Sequence, residues 1–170
     1  MDAYQALASR REVRRYADRP IEPDAERRIL EAGRVSGSSK NRQPWRFVVV
    51  EDPATRERVA EAVWASDNVR GAALVVAVVV AGKGPVSFDA GRAAQNMQLA
   101  AWNDGIGSCP NGIADQDAMA EALGLREDDH FAIVLTFGYP ARPVDPDART
   151  AEDWIAHADR RPLDDVVERR

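Results

Sequence analysis

A chain of 170 residues is long enough for one domain with a full core. Hydrophobic residues make up 45% and charged residues 30%, which excludes a disordered chain. With 23 basic and 28 acidic residues the net charge is −5, which argues against nucleic acid or an anionic membrane as the main partner.

No apolar run approaches the roughly 20 residues that a membrane helix needs. The stretch Met1 to Gln5 lacks the basic and apolar regions of a signal peptide. Cys109 is the only cysteine, so no intrachain disulfide can form and a reducing cytoplasm is the expected compartment. His130 and His157 form no ligand-spaced pair and lie near no cysteine, so no metal site is expected.

In chain order, Asp2 is placed to cap a short helix over Ala3 to Ser9, with Tyr4, Leu7 and Ala8 on one side. After the arginine-rich run Arg10 to Tyr16, Pro20 to Pro23 breaks structure. The spacing of Ala25, Ile29, Leu30 and Ala32 predicts a helix from Asp24 to about Val35. Trp45 to Val50 reads as a strand, and Pro53 to Trp64 as a helix with Val59, Ala60, Val63 and Trp64 facing inward. Ala72 to Ala81 is an unbroken apolar run that suits a central strand buried on both faces. Phe88 to Asp104 predicts the longest helix, followed by a glycine-rich loop from Gly105 to Gly112. A helix over Ala118 to Leu123 ends at Gly124, and His130 to Phe137 makes a third strand that stops at Gly138-Tyr139-Pro140. The remainder, Ala141 to Arg170, is polar and proline-dotted, with one apolar patch from Leu163 to Val167. A few central strands with helices around them define an α+β or α/β layered domain.

Four stretches carry potential chemistry. Ser36 to Val50 runs from a small, polar loop into a strand. Gly, Ser and Asn side by side offer backbone N–H groups and short polar side chains to a ligand, although Ser36 to Ser39 is also a linker composition. Five arginines fall between Arg10 and Arg19, a pattern that suits phosphate or a solvated helix end. The pair Arg160-Arg161 alone reads as solvated surface. Cys109 lies in a possible ligand loop but reads first as a small buried thiol. The small residues of the long helix (Gly91, Ala93, Ala94, Ala100, Ala101) suit a buried core helix and a dimer-core helix equally. Gly82-Lys83-Gly84 lacks the full phosphate-loop spacing, no G-x-G-x-x-G opens a helix, and no G-x-S-x-G elbow exists.

Taken in order, these pieces resemble the flavin-dependent nitroreductase family. The matching stretches are Ser9-Arg10-Arg11-x-Val13-Arg14 with Pro20-Ile21, and Ser38-Ser39-x-Asn41-x-Gln43-Pro44-Trp45-x-Phe47. They continue with Asp89-x-Gly91-x-Ala93-x-Gln95-Asn96 leading to Gly105-x-Gly107-Ser108-Cys109, then Gly138-Tyr139-Pro140 and Arg161-Pro162-Leu163. The resemblance implies an α+β fold with a central, mostly antiparallel sheet flanked by helices. It implies a single domain over residues 1–170, in an intertwined homodimer with FMN at the interface and residues 141–170 as an arm around the partner subunit.

The resemblance also implies residue roles. Arg10, Arg11 and Arg14 match the motif that grips the FMN phosphate and ribityl chain, and Arg161, with Arg160 beside it, matches a basic position that reaches the same phosphate. Ser38, Ser39 and Asn41 match the loop that approaches the flavin from the partner subunit. Asn111 and Gly112 fall where backbone N–H groups meet the flavin ring edge. Glu12 stands where the motif usually has a small hydroxylic residue, and is expected to turn away and orient an arginine. The activity implied is hydride transfer from NADH or NADPH through FMN to a small organic acceptor, nitroaromatic or quinone, by ping-pong turnover with the flavin as the reactive group. Other redox tasks on the same fold (dehalogenation, flavin breakdown, enoyl-type reduction), or flavin or deazaflavin binding with little turnover, are the alternative.

Overall fold

Asp2 begins the chain's first helix, α1 (Ala3–Ser9): its carboxylate accepts the Gln5 N–H at 2.8 Å, which satisfies one of the donors that a helix start leaves open. The computed structural model describes all 170 residues and divides them into two units, one of Met1–Arg10 with Asp145–Arg170 and one of Arg11–Val144. In the smaller unit Gln5 donates to the carbonyls of Pro146 (2.5 Å) and Arg149 (2.8 Å). These bonds join α1 to the turn that precedes a second short helix, Ala151–Ala156, capped by Thr150. The Trp154 indole N–H closes back on the Pro146 carbonyl at 2.9 Å. The rest of this unit carries only a single short turn, Leu163–Asp165, with Leu163 and Val166 exposed.

The larger unit is built on a four-stranded antiparallel sheet: β1 (Trp45–Val49), β2 (Leu74–Ala81), β3 (Gly107–Asn111) and β4 (Asp129–Gly138), in the order β1-β2-β4-β3. The apolar run makes β2 a central strand, as its composition requires: Trp45 pairs with Val80 on one side and Leu74 with Phe137 on the other. Because strand side chains alternate, β2 feeds two cores. Leu74, Val76, Val78 and Val80 pack with Ile29 and Met97, from helices α2 (Pro23–Arg34) and α5 (Val86–Asn103). Val75 and Ala77 pack on the opposite face with Val59, Val69 and Met119, from helices α3 (Pro53–Glu61), α4 (Ser66–Arg70) and α6 (Gln116–Leu123). Full burial of each such aliphatic side chain contributes about 1.5–3 kcal/mol. Helices α2 and α5 approach so closely that a Cβ at Gly33 would lie 2.2 Å from Met97 Cε.

Two expectations are corrected. The stretch Gly105 to Gly112 is not all loop, since Gly107–Asn111 forms β3 against β4. Its composition has no strand propensity, and tertiary pairing overrides it; an edge position also tolerates Pro110. Helix α3 ends at Glu61 rather than Trp64, and the Trp64 ring is 78% exposed instead of inward. Between them and β2 the chain adds the short helix α4. Helix α1 forms over the expected residues, with Tyr4 and Leu7 exposed.

Candidate functional site

The arginine-rich segment after α1 is extended and stitched to the sheet. Glu12 bridges Ser108 of β3 in parallel, and the Val13 N–H donates to the Ser108 carbonyl at 2.9 Å. Further on, the Ala17 N–H donates to Tyr139 O at 2.7 Å and the Ala141 N–H to Arg15 O at 3.0 Å. Two glycines permit this closeness: a Cβ at Gly107 would meet Val13 Cγ2 at 2.5 Å, and one at Gly138 would meet the Tyr16 ring at 2.8 Å. Glu12, Arg14, Arg15 and Arg142 line a groove of ≈ 540 Å³ on this edge. Three guanidiniums against one carboxylate suit an anion with several oxygens.

Beneath β3 lies a buried polar network. The Asn111 side chain is 2% exposed. Its Nδ2 donates to the Cys109 carbonyl at 3.0 Å, with Thr136 Oγ1 at 3.2 Å and the Val134 carbonyl at 3.3 Å. Its Oδ1 accepts from Asn68 Nδ2, on α4, at 2.8 Å. The Thr136 hydroxyl donates to Cys109 O at 3.1 Å, which leaves the Tyr16 hydroxyl to donate to Thr136, 2.9 Å from Oγ1. Burial pushes the Tyr16 phenol well above its ordinary range. One residue on, Gly112 is exposed; its carbonyl accepts the Trp64 N–H at 3.0 Å, while its own N–H finds no acceptor in the chain.

The serine loop is held elsewhere. Ser36 Oγ accepts from Asn96 Nδ2 at 2.7 Å, the Ser39 N–H donates to the buried Asp89 carboxylate at 3.0 Å, and Ser38 Oγ accepts the Gln43 N–H at 2.8 Å. Arg42 donates to Lys83 O at 3.0 Å. Lys40, Asn41 and Gln43 all have positive φ (53°, 53° and 50°), a conformation that L residues hold only when neighbours impose it.

The sequence-predicted residues of the larger unit therefore fall into two sets. Arg11, Glu12 and Arg14 lie beside β3 with Asn111 and Gly112, whereas Ser38, Ser39 and Asn41 lie in a separate loop that Ser39 fastens to Asp89 of α5. Arg10, Arg160 and Arg161 belong to the smaller unit, where Arg160 donates to the Ala158 carbonyl at 3.0 Å. Sequence reading missed Asn68, Thr136 and Tyr16. An asparagine in a short helix gives no local signal, and the position of Thr136 in an apolar strand was the only clue. Asp89 and Asn96 carried a motif, and their work is to hold the serine loop.

An antiparallel sheet between two helical layers, with an arginine-bearing segment fastened to its edge strand, defines an α+β protein with an arginine-rich edge. The model of the nitroreductase family matches residues 7–84 and 86–139, and the chain belongs to that family. An Archaeoglobus fulgidus protein, provisionally named NADH dehydrogenase/NAD(P)H nitroreductase, is 30% identical over 172 residues, covering 90% of this chain and 99% of that protein. YdjA of Escherichia coli K12, provisionally named an NAD(P)H nitroreductase, is 29% identical over 164 residues, covering 82% and 89%. The crystal structure of a provisionally named nitroreductase from Desulfovibrio desulfuricans, in complex with FMN, superposes with a TM-score of 0.83 at 29% identity, covering 100% of this chain and 98% of that one. No helix of the chain is long and apolar enough to cross a membrane.

Proposed function

We propose that the chain is an FMN-dependent oxidoreductase that takes reducing equivalents from NADH or NADPH and delivers them to a small organic acceptor of nitroaromatic or quinone type. One observation carries the reading: the arginine-bearing segment is bonded to β3, and the residue after that strand, Gly112, has an N–H with no acceptor in the chain. FMN needs cationic donors for its phosphate and an N–H donor for its ring edge. Ser108 and Gly112 are separated by roughly 13 Å of strand, enough for two such subsites.

In this reading Arg11 and Arg14 hold the phosphate, and the family resemblance gives Arg10, Arg160 and Arg161 the same task. Glu12 orients a guanidinium. The Gly112 N–H donates to the ring edge, where fixed donors favour the more negative, reduced ring. Bound FMN supplies hydride transfer from nicotinamide to acceptor, in ping-pong order at one face. Ser38, Ser39 and Asn41 approach the flavin of a second copy in a homodimer, residues 141–170 wrap that copy, and the protein works in the cytoplasm.

The test is the purified protein itself. A yellow protein that NADH or NADPH bleaches without oxygen, and that nitroaromatics or quinones recolour, is expected. A colourless protein that gains no flavin on titration overturns the assignment.

A further inference from the structure

The Asn111–Gly112 peptide is gripped from both sides. Before it, the Asn111 side chain is locked by Asn68, Cys109 O and Thr136. After it, the Gly112 carbonyl is held by the Trp64 N–H, and the neighbouring Ala114 N–H is tied to Ala62 O at 2.9 Å. A glycine peptide is otherwise the easiest in a chain to rotate. Here the chain on either side of it is pinned, by buried side-chain bonds at Asn111 and by a backbone bond at Gly112. Asn111 Nδ2 forms its bonds within its own sheet. Asn68 is different: it comes from another element, α4, and supplies the single donor that Asn111 Oδ1 receives. It is itself buried, 6% exposed, and its Nδ2 also lies 3.7 Å from Cys109 Sγ.

We propose that Asn68 is a positioning residue that acts through Asn111 to hold the Gly112 N–H as a fixed hydrogen-bond donor toward the electron-rich edge of a bound flavin. This rests on the assignment of FMN above. A preoriented donor stabilises the reduced ring more than the oxidised ring, because charge accumulates at that edge on reduction. Asn68 therefore sets the reduction potential of the flavin without touching it. A buried asparagine serving only packing would change stability and leave that potential alone.

The experiment compares wild type, Asn68→Leu (near-isosteric, no donor) and Asn68→Ser (hydroxyl too short to reach Asn111). Each is measured for thermal unfolding, for FMN affinity in both oxidation states, and for the two-electron midpoint potential. Expected is a variant that still binds oxidised FMN but binds reduced FMN about tenfold less tightly relative to it, which lowers the potential by about 30 mV. A lower unfolding temperature with an unchanged potential, in whichever variant folds, overturns the positioning role and leaves the FMN assignment standing. Failure of both variants to fold, with wild type sound, also overturns it, since Asn68 would then be a core residue first. A wild type that takes up no flavin overturns the assignment and this role together.

Discussion

Val13 rests directly on the bare Cα of Gly107: a methyl group there would lie 2.5 Å from Val13 Cγ2 and 2.6 Å from its Cβ. That contact lets the arginine segment bond to Ser108. Gly107→Ala forces two backbones apart rather than displacing a flexible side-chain end, and overpacking of this kind costs about 1–3 kcal/mol. The expected outcome is a fall in unfolding temperature of several degrees, at about 2–4 °C per kcal/mol for a chain of this size. FMN affinity should fall with it, since the segment that bears Arg11 and Arg14 loses its seat. Calorimetry and flavin titration on the same sample check both. An unchanged affinity would separate the segment from the flavin.

Tyr16 ties stability to high pH. Its phenol is held neutral by burial, so the folded state keeps its proton above the ordinary value of about 10. The sign follows from proton uptake. The stabilisation is fully present below that value and is lost as the pH rises from it toward the raised folded value, because the unfolded chain ionises first. Wild type should therefore lose stability steeply above about pH 10. Tyr16→Phe, which also gives up the bond to Thr136, should be less stable at neutral pH and show a shallower alkaline slope. Denaturant midpoints at neutral and alkaline pH measure both; equal slopes would show that the phenol is not what titrates.

Arg14 lines the groove beside β3. A charge-assisted bond to phosphate contributes about 1.5–3 kcal/mol, so Arg14→Ala should weaken FMN about ten- to a hundredfold. Riboflavin lacks the phosphate and should bind both proteins alike. Fluorescence titration with the two ligands decides: equal losses would move Arg14 out of the phosphate site.

The fold was legible where side chains repeat. The Val-rich run of β2, the spacing of α2 and the Asp2 cap each declare themselves locally, because period and capping are properties of neighbouring residues. Strand β3 was not legible, since Gly107-Ser108-Cys109-Pro110-Asn111 becomes a strand only by pairing with β4. Trp64 was misplaced because a helix pattern carries no mark of where its last turn stops. Of the site, the arginines and the serine loop were visible as unusual composition. Asn68 and Tyr16 were not, because a buried polar group owes its role to partners such as Asn111 and Thr136, 43 and 120 residues away.

Asp89 anchors the serine loop, and its removal should release it. The carboxylate is 3% exposed and accepts the Ser39 N–H at 3.0 Å, with Arg92 4.0 Å away. The three left-handed residues beyond it each carry a conformational cost of about 1–3 kcal/mol that the anchor must offset. Asp89→Ala leaves the Ser39 N–H without its acceptor and removes the bond that fastens the loop to α5. The loop should then open locally while the sheet stays folded, because its bonds are not part of either core. Trypsin reports this directly, since Lys40 and Arg42 lie in the loop. Wild type should resist cleavage there, and Asp89→Ala should be cut faster at those two residues with only a small change in unfolding temperature. Asp89→Asn keeps an oxygen acceptor and should lie between them. If the Ser38–Asn41 loop serves a flavin site, FMN affinity should follow the same order. Equal cleavage rates in all three proteins would show that the loop is held by Ser36, Ser38 and Arg42 without Asp89.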